Sequence, residues 1–101
     1  MLLKVTTEQS RALFQIVGRI DESGAEGLEK KFNTLDLYRI REVVLDFTRV
    51  EYIASVGIGK IILMHKTLVS RGGVVMVQNA STSISTMFKL LKLDRTIRLV
   101  S

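Results

Sequence analysis

Ser55 is the residue of this chain that is best placed to do chemistry. It follows a run of core-type residues, Val43 to Phe47, and a short polar segment, and it precedes a largely apolar stretch that predicts a helix. The free N–H groups and the dipole at a helix N-terminus both favour negative charge, so a serine there can carry a phosphate. Many serines at this position simply cap their helix, and local physics leaves both interpretations open.

The other residue types needed for catalysis or metal binding are scarce. The single histidine, His65, follows Ser55 by ten positions, which along a helix is about 15 Å and too far for a serine–histidine relay. We expect His65 to pack at the surface or at the boundary of the core. One histidine and no cysteine argue against a zinc site. Asp21 and Asp46 could form a carboxylate pair, which the sequence does not decide. We predict no enzyme activity, no cofactor and no metal.

Two glycines near the predicted start of the helix, Gly57 and Gly59, superficially resemble a phosphate-binding loop. The Gly-Lys-Ser/Thr ending of nucleotide-binding motifs is missing, and Lys60 belongs to no such pattern. We interpret the glycines as positions where another protein can approach the helix start closely.

The predicted helix after Ser55 has more apolar residues than one buried stripe requires. Those expected to face the sheet are Ile58, Ile61, Ile62, Leu68 and Val69. Those left without an obvious buried place are Val56, Leu63 and Met64. Either a neighbouring helix covers these three residues or they form a partner-binding patch beside Ser55.

The elements that must position Ser55 alternate between strands and helices. Predicted strands cover residues 2–5, 12–17, 42–47, 74–77 and 96–100. A Ser-x-x-Glu capping box at Ser23 predicts the first helix, and another begins around Ser81 to Ser83. We predict an α/β fold, a single domain over residues 1–101, with a mixed central sheet of about four to five strands and three or more helices packed on it.

The composition and net charge of the chain argue against a membrane-spanning protein and against direct nucleic-acid binding. The chain has 101 residues, 47% of them hydrophobic, with no cysteine and no run long enough to cross a bilayer. No signal peptide is recognisable, so we expect a cytoplasmic protein without membrane insertion. The net charge is +5. Because the basic residues are dispersed and aromatics are few, we favour a solvated surface or an acidic protein partner over direct nucleic-acid binding.

The segment around Ser55 has the order of residue types found in a known family motif. The family motif consists of a hydrophobic-Asp-hydrophobic run, a short loop, and Asp-Ser-Ser-Gly-Leu-Gly. In this chain the run corresponds to Val44–Phe47, the loop to Thr48–Ile53, and the last part to Ala54–Gly59. Gly18–Asp21 is similar to the family's Gly-Glu-Leu-Asp turn, and Arg71–Val77 to its Gly-Gly return into a strand. With these elements in the family's order, the chain resembles STAS domains of the anti-sigma factor antagonist type.

This resemblance implies a role in a partner-switching pathway. In that family the unphosphorylated domain binds an anti-sigma factor, a serine kinase with a histidine-kinase-like ATPase fold, and so frees a sigma factor. The kinase phosphorylates the serine that corresponds to Ser55, and a metal-dependent serine phosphatase removes the phosphate. Asp46 matches a position that closes the central strand. The residues expected to contact the partner are Asp21, Ala54, Val56, Gly57, Ile58, Gly59, Lys60 and Met64.

Two positions depart from the family motif. Ala54 stands in place of its aspartate, which removes an acceptor that could orient the serine hydroxyl, and Val56 stands in place of its second serine. Two other functions therefore stay open. One is a constitutive, non-phosphorylated STAS adaptor in a lipid-transport ATPase or signalling complex, in which Ser55 only caps its helix. The other is a nucleic-acid or nucleotide-binding domain.

Overall fold

A computed structural model describes residues 1–100 as a five-stranded sheet with three α-helices. The strands lie side by side in chain order: β1 (Leu2–Glu8), β2 (Arg11–Ile20), β3 (Glu42–Ile53), β4 (Val74–Gln78) and β5 (Arg98–Val100). The helices are α1 (Glu22–Phe32), α2 (Ser55–Val69) and α3 (Thr82–Leu90). β1 is antiparallel to β2 and all other neighbours are parallel. The predicted α/β class and mixed sheet are confirmed.

The core lies between the helices and one face of the sheet. Because the strand order follows the chain order from β2 to β5, successive right-handed crossovers place all three helices on the same side. Alternate strand residues such as Phe14, Leu45 and Val77 are fully buried and belong to one cluster with residues of every α-helix. The rings of Phe47 and Phe88 meet edge to face at 6.4 Å, which ties α3 to β3.

β3 differs most from its prediction. The expected strand ended at Phe47 and a polar loop followed, whereas the observed strand continues to Ile53. β4 pairs with β3 only as far as Asp46. Beyond this point β3 pairs with β2 alone, and the register shifts at two places. The predictions of a loop over 48–53 and of Asp46 as the end of the strand are therefore wrong.

Side-chain caps begin α1 and α3. Asp21 is the N-cap of α1, and its Oδ1 accepts a hydrogen bond from the Gly24 N–H at 2.9 Å. The capping box predicted at Ser23 is wrong, because Ser23 lies inside the first turn. α3 is capped by Ser81, whose Oγ accepts from the Ile84 N–H at 3.2 Å.

Candidate functional site

Two helix starts lie side by side at the edge of the sheet where β2 and β3 end. Ile20 and Ile53 are register partners, and the Ala54 N–H donates to the Ile20 carbonyl at 2.9 Å. Asp21 follows Ile20 directly, and Ser55 follows Ala54. The structure thus places the start of α1, at Asp21, next to the start of α2, at Ala54 and Ser55.

Ser55 is the first residue of α2 and does not cap it. The N-cap is Ala54, whose backbone is extended at φ −81° and ψ 161° and whose side chain has no acceptor. Ser55 is exposed, and no side-chain hydrogen bond caps this helix start. The interpretation of Ser55 as a helix cap is wrong, and its side chain lies at the surface.

The first turn of α2 compensates for the missing cap with backbone bonds alone. The N–H groups of Gly57 and Ile58 both donate to the Ala54 carbonyl, at 2.9 and 3.1 Å. In α1 the equivalent pair divides its bonds between the side chain and the carbonyl of Asp21. α2 also has no acidic residue in its first turn, so the positive end of its dipole is not offset by a carboxylate of its own.

A partly apolar strip of α2 faces solvent next to Ser55; we call Ser55, Val56, Gly59 and Leu63 the α2 surface. Ser55, Gly59 and Leu63 follow at intervals of four, which places them on one helix face. Val56 is 41% exposed and Leu63 is 56% exposed. A Cβ at Gly59 would meet no atom within 4 Å among the described residues, apart from its own helix backbone and sequence neighbours.

The structure decides between the two alternatives for Met64 and corrects the prediction for Val69. Met64 is only 3% exposed because this side of α2 packs against α1, so a neighbouring helix covers it and it is not part of an exposed patch. The prediction that Val69 faces the sheet is wrong, because this side chain is 54% exposed near the helix end. Of the three residues left over in the sequence, Val56 and Leu63 remain at the surface.

Three other predicted contact residues have roles inside the domain. Gly57 is buried, and a Cβ there would lie 2.8 Å from Ile20 and 3.0 Å from Ile53, so glycine lets α2 start close to the strand ends. Ile58 is a core residue. Lys60 pairs with Glu29 of α1 at 2.9 Å. These residues hold the α2 surface in place from below and beside it.

His65 is a structural residue of the core, not a boundary residue. It is 5% exposed, and its Nδ1 accepts from the Val75 N–H at 3.2 Å. β5 pairs with β4 only from Met76 onward, so the imidazole satisfies the amide that β5 does not reach. Burial lowers the pKa of His65. As the acceptor is Nδ1, the neutral ring has its proton on Nε2.

Arg19 and Tyr52 border the site and were missed in the sequence. They are register partners at the tip of β2 and β3, and the guanidinium lies 4.2 Å from the ring centroid. Tyr52 is 41% exposed. Their positions in the sequence could have indicated this. Arg19 lies two residues before Asp21 and Tyr52 lies three residues before Ser55, so both were close to the predicted site.

The structure does not support a carboxylate pair. Asp46 pairs with Gln78 and lies seven residues before the end of β3. Asp21 lies near that end of β3. At the rise of a β-strand, seven residues separate the two carboxylates by roughly 20 Å. Within residues 1–100 no group of three or more histidine, cysteine or acidic side chains could hold a metal ion. In the same range no helix is long and apolar enough to span a membrane.

Comparison with known proteins identifies the family. A family model described as the STAS domain matches residues 3–101. The chain belongs to the STAS domain family. Its fold resembles that of a proposed anti-sigma factor antagonist from Thermotoga maritima, with a TM-score of 0.89, 18% identity, and coverage of 98% of this chain and 86% of that one.

Two further solved structures are similar. An anti-sigma factor antagonist from Mycobacterium paratuberculosis has a TM-score of 0.84 and 22% identity, covering 98% of this chain and 84% of that chain. The phosphorylated Bacillus cell fate determinant SpoIIAA has a TM-score of 0.79 and 16% identity, covering 99% and 92%. At these identities the likeness establishes the fold alone.

Proposed function

We propose that this STAS domain is an anti-sigma factor antagonist that binds an anti-sigma factor with serine kinase activity and is released when Ser55 is phosphorylated. The observation that supports this most strongly is the exposed position of Ser55 at the first residue of α2. It lies beside the exposed apolar side chains of Val56 and Leu63. Three solved structures of similar fold have names that describe this role or a phosphorylated form.

Gly59 supports a binding role for the α2 surface. A glycine inside a helix costs about 0.5–1 kcal/mol relative to alanine. The domain offers no packing reason for it, because a Cβ would project into open space. A partner that approaches the helix closely would supply the reason. Gly57 lacks this meaning, since its missing side chain is needed for contact with Ile20 and Ile53.

Phosphorylation would act through charge at the centre of this surface. A phosphate adds about −1.5 to −2 charges and three acceptor oxygens. The start of α2 can accommodate it, because the dipole favours negative charge and the first turn has no carboxylate. An interface that buries Val56 and Leu63 would lose affinity, because the charged group would have to be desolvated beside them.

The proposed partners follow from the family. The anti-sigma factor would have a histidine-kinase-like ATPase fold and donate the phosphate from ATP, and a metal-dependent serine phosphatase would remove it. The STAS domain would be a non-enzymatic regulator that acts in the cytoplasm. The contact residues we propose are Ser55, Val56, Gly59 and Leu63, with Asp21, Ala54 and Lys60 at the border.

Binding of charge variants tests the switch. We expect Ser55→Asp to weaken affinity for the purified cognate kinase at least tenfold, which is about 1.4 kcal/mol. Ser55→Ala should bind like the wild type. Ser83→Asp is the matched control, since it puts the same charge into the first turn of α3 and should leave affinity unchanged. Isothermal titration calorimetry measures all three.

A second measurement asks whether the modification occurs. Intact mass spectrometry of the protein from its native cells, followed by fragmentation, should locate one phosphate on Ser55. Equal affinity of the Ser55→Asp and Ser55→Ala variants, or an unmodified chain under all growth conditions, would contradict the switch. Stable co-purification with a transporter ATPase would then favour the constitutive adaptor.

A further inference from the structure

The positive charge of the chain is concentrated away from Ser55, at the end of the domain where the parallel strands begin. Connections at that end cover residues 33–41, 70–73 and 91–97, and they contain five basic and two acidic side chains. Connections at the Ser55 end, at residues 21, 54 and 79–81, contain one acidic and no basic side chain. The basic residues are Arg39, Arg41, Arg71, Lys92 and Arg95.

Some positive charges at this end already have partners within the fold. Lys30, Lys31, Lys66 and Lys89 lie in the last turns of their helices, where they offset the negative end of the dipole. Arg11 pairs with Glu42. These interactions do not account for the side chains of Arg39 and Arg71, which lie at the surface.

Arg71 lies against the most exposed aromatic ring of the described residues, Tyr38, and Arg39 follows Tyr38 in the sequence. Tyr38 is 86% exposed, and the Arg71 guanidinium carbon lies 5.3 Å from its ring centroid. Arg41 donates from Nη1 to the Arg71 carbonyl, which joins the connection before β3 to the end of α2. We call Tyr38, Arg39, Arg41 and Arg71 the Tyr38 surface. Beside it lies a surface cavity of about 620 Å³, lined in part by Arg41 and Gly72.

The loop that presents the Tyr38 surface is ordered by its own hydrogen bonds. The Asp36 side chain accepts from the Tyr38 N–H at 3.0 Å. The Asp36 carbonyl accepts from the N–H groups of Arg39 and Ile40, at 3.1 and 2.9 Å. Ile40 is 1% exposed and anchors the loop in the core. Binding there would cost little ordering entropy, because the backbone is already held.

We propose that the Tyr38 surface is a second interaction site, which binds an acidic segment of a partner protein. Arginine matches carboxylates through paired, charge-assisted hydrogen bonds. Tyrosine and arginine are also the residues that most often dominate binding energy at interfaces. An apolar side chain of the segment would pack on the Tyr38 ring while its carboxylates meet Arg39 and Arg71. This inference does not depend on Ser55, which lies at the other end of the domain.

The chemistry of this surface favours an acidic protein segment over nucleic acid. Proteins that bind single-stranded nucleic acid typically combine a continuous basic groove with several stacking aromatics, and duplex binding also needs an extended basic patch. Here Tyr38 is a single aromatic residue, and Glu8 and Glu42 line the adjoining cavity. An extended phosphate backbone that continued along this end of the domain would meet these carboxylates, whereas a short acidic segment can be confined to Tyr38 and the arginines beside it.

A defined peptide tests the proposal. We would titrate the isotope-labelled full chain with the peptide Asp-Glu-Trp-Asp-Glu and with its Asn/Gln counterpart, and follow backbone amide resonances by NMR. We expect shifts at residues 36–41 and 70–73, binding that weakens as salt rises, and no binding of the neutral peptide. Tyr38→Ala and the double variant Arg39→Glu/Arg71→Glu should each reduce affinity about tenfold or more, which is about 1.4 kcal/mol.

Matched variants separate a local site from overall charge. Lys89→Glu/Lys92→Glu changes the net charge as much as Arg39→Glu/Arg71→Glu does, and it should alter affinity less than twofold. Ser55→Asp should leave peptide binding unchanged. Circular dichroism melts confirm that each variant is folded. The proposal is overturned by an absence of binding, by equal losses in both double variants, by shifts confined to the α2 surface, or by tighter binding to oligothymidine than to the peptide.

Discussion

Restoring a side-chain cap to α2 should stabilise the domain. Ala54 already has the extended backbone of a cap residue, at φ −81° and ψ 161°, similar to the capping residue Ser81 at φ −59° and ψ 160°. Only the acceptor is missing. In Ala54→Asp a carboxylate oxygen can take the Gly57 N–H, which now shares the Ala54 carbonyl with Ile58.

The gain in the free energy of unfolding comes from the new hydrogen bond to the Gly57 N–H and from the new negative charge at the helix N-terminus. Replacing alanine by aspartate at an N-cap is worth about 0.5–2 kcal/mol, and this range includes the interaction of a negative charge with a free helix dipole. Ala54 is half-buried, and Asp21 begins the neighbouring helix, so desolvation and like-charge repulsion reduce the total. We expect a net gain of about 1 kcal/mol, which for a domain of this size raises Tm by about 4–8 °C.

Urea and thermal unfolding of matched variants would measure the effect. Ala54→Asn provides the hydrogen bond without the charge, so the difference between Ala54→Asp and Ala54→Asn isolates electrostatics and should shrink at high salt. Ser81→Ala removes an existing cap from α3 and should cost about 1 kcal/mol. If neither Ala54 variant is more stable than the wild type while Ser81→Ala is destabilised, the account of α2 as an uncapped helix is refuted.

Three further substitutions probe the site and its support. Gly57→Ala should destabilise by about 1–3 kcal/mol in urea unfolding, because its Cβ would overlap Ile20. Gly59→Ala should instead stabilise by about 0.5–1 kcal/mol while weakening kinase binding, as calorimetry would show. Burial lowers the pKa of His65 from 6.5, so the unfolded state takes up the proton first and stability should fall as pH drops below about 6.5. His65→Gln, which keeps an acceptor for the Val75 N–H, should reduce that loss between about pH 7 and 5.

Local pattern was sufficient for most elements but not for the end of β3. The nearly continuous apolar run of residues 43–47 predicted a buried strand, and Gly72 and Gly73 correctly marked the break after α2. From Phe47 to Ile53 the buried residues instead recur every third position, at Phe47, Val50 and Ile53. Register shifts against β2 produce this spacing, because a bulge interrupts the alternation of period two by which strands are recognised.

The site could be predicted in position but not in detail. The sequence located Ser55 at a helix start, since a polar hydroxyl follows a strand and precedes an apolar run. Whether a serine is the cap or the first helical residue depends on one residue of register. Likewise, the burial of Met64 and His65 depends on which faces α1 and β4 cover. Such packing is tertiary information that helical spacing alone does not contain.

The absence of an acceptor side chain at Ala54 is interpreted differently from the sequence and from the structure. In the sequence, Ala54 is the loss of an acceptor that could orient the Ser55 hydroxyl. In the structure it is the N-cap of α2, so no side chain of residue 54 competes for the first-turn N–H groups. A phosphate on Ser55 would therefore lie at a helix start where the dipole favours negative charge and where residue 54 contributes no carboxylate that would repel it. The departure from the motif is thus compatible with a modified serine, and Ala54→Asp would make the phosphate less favourable even as it stabilises the helix.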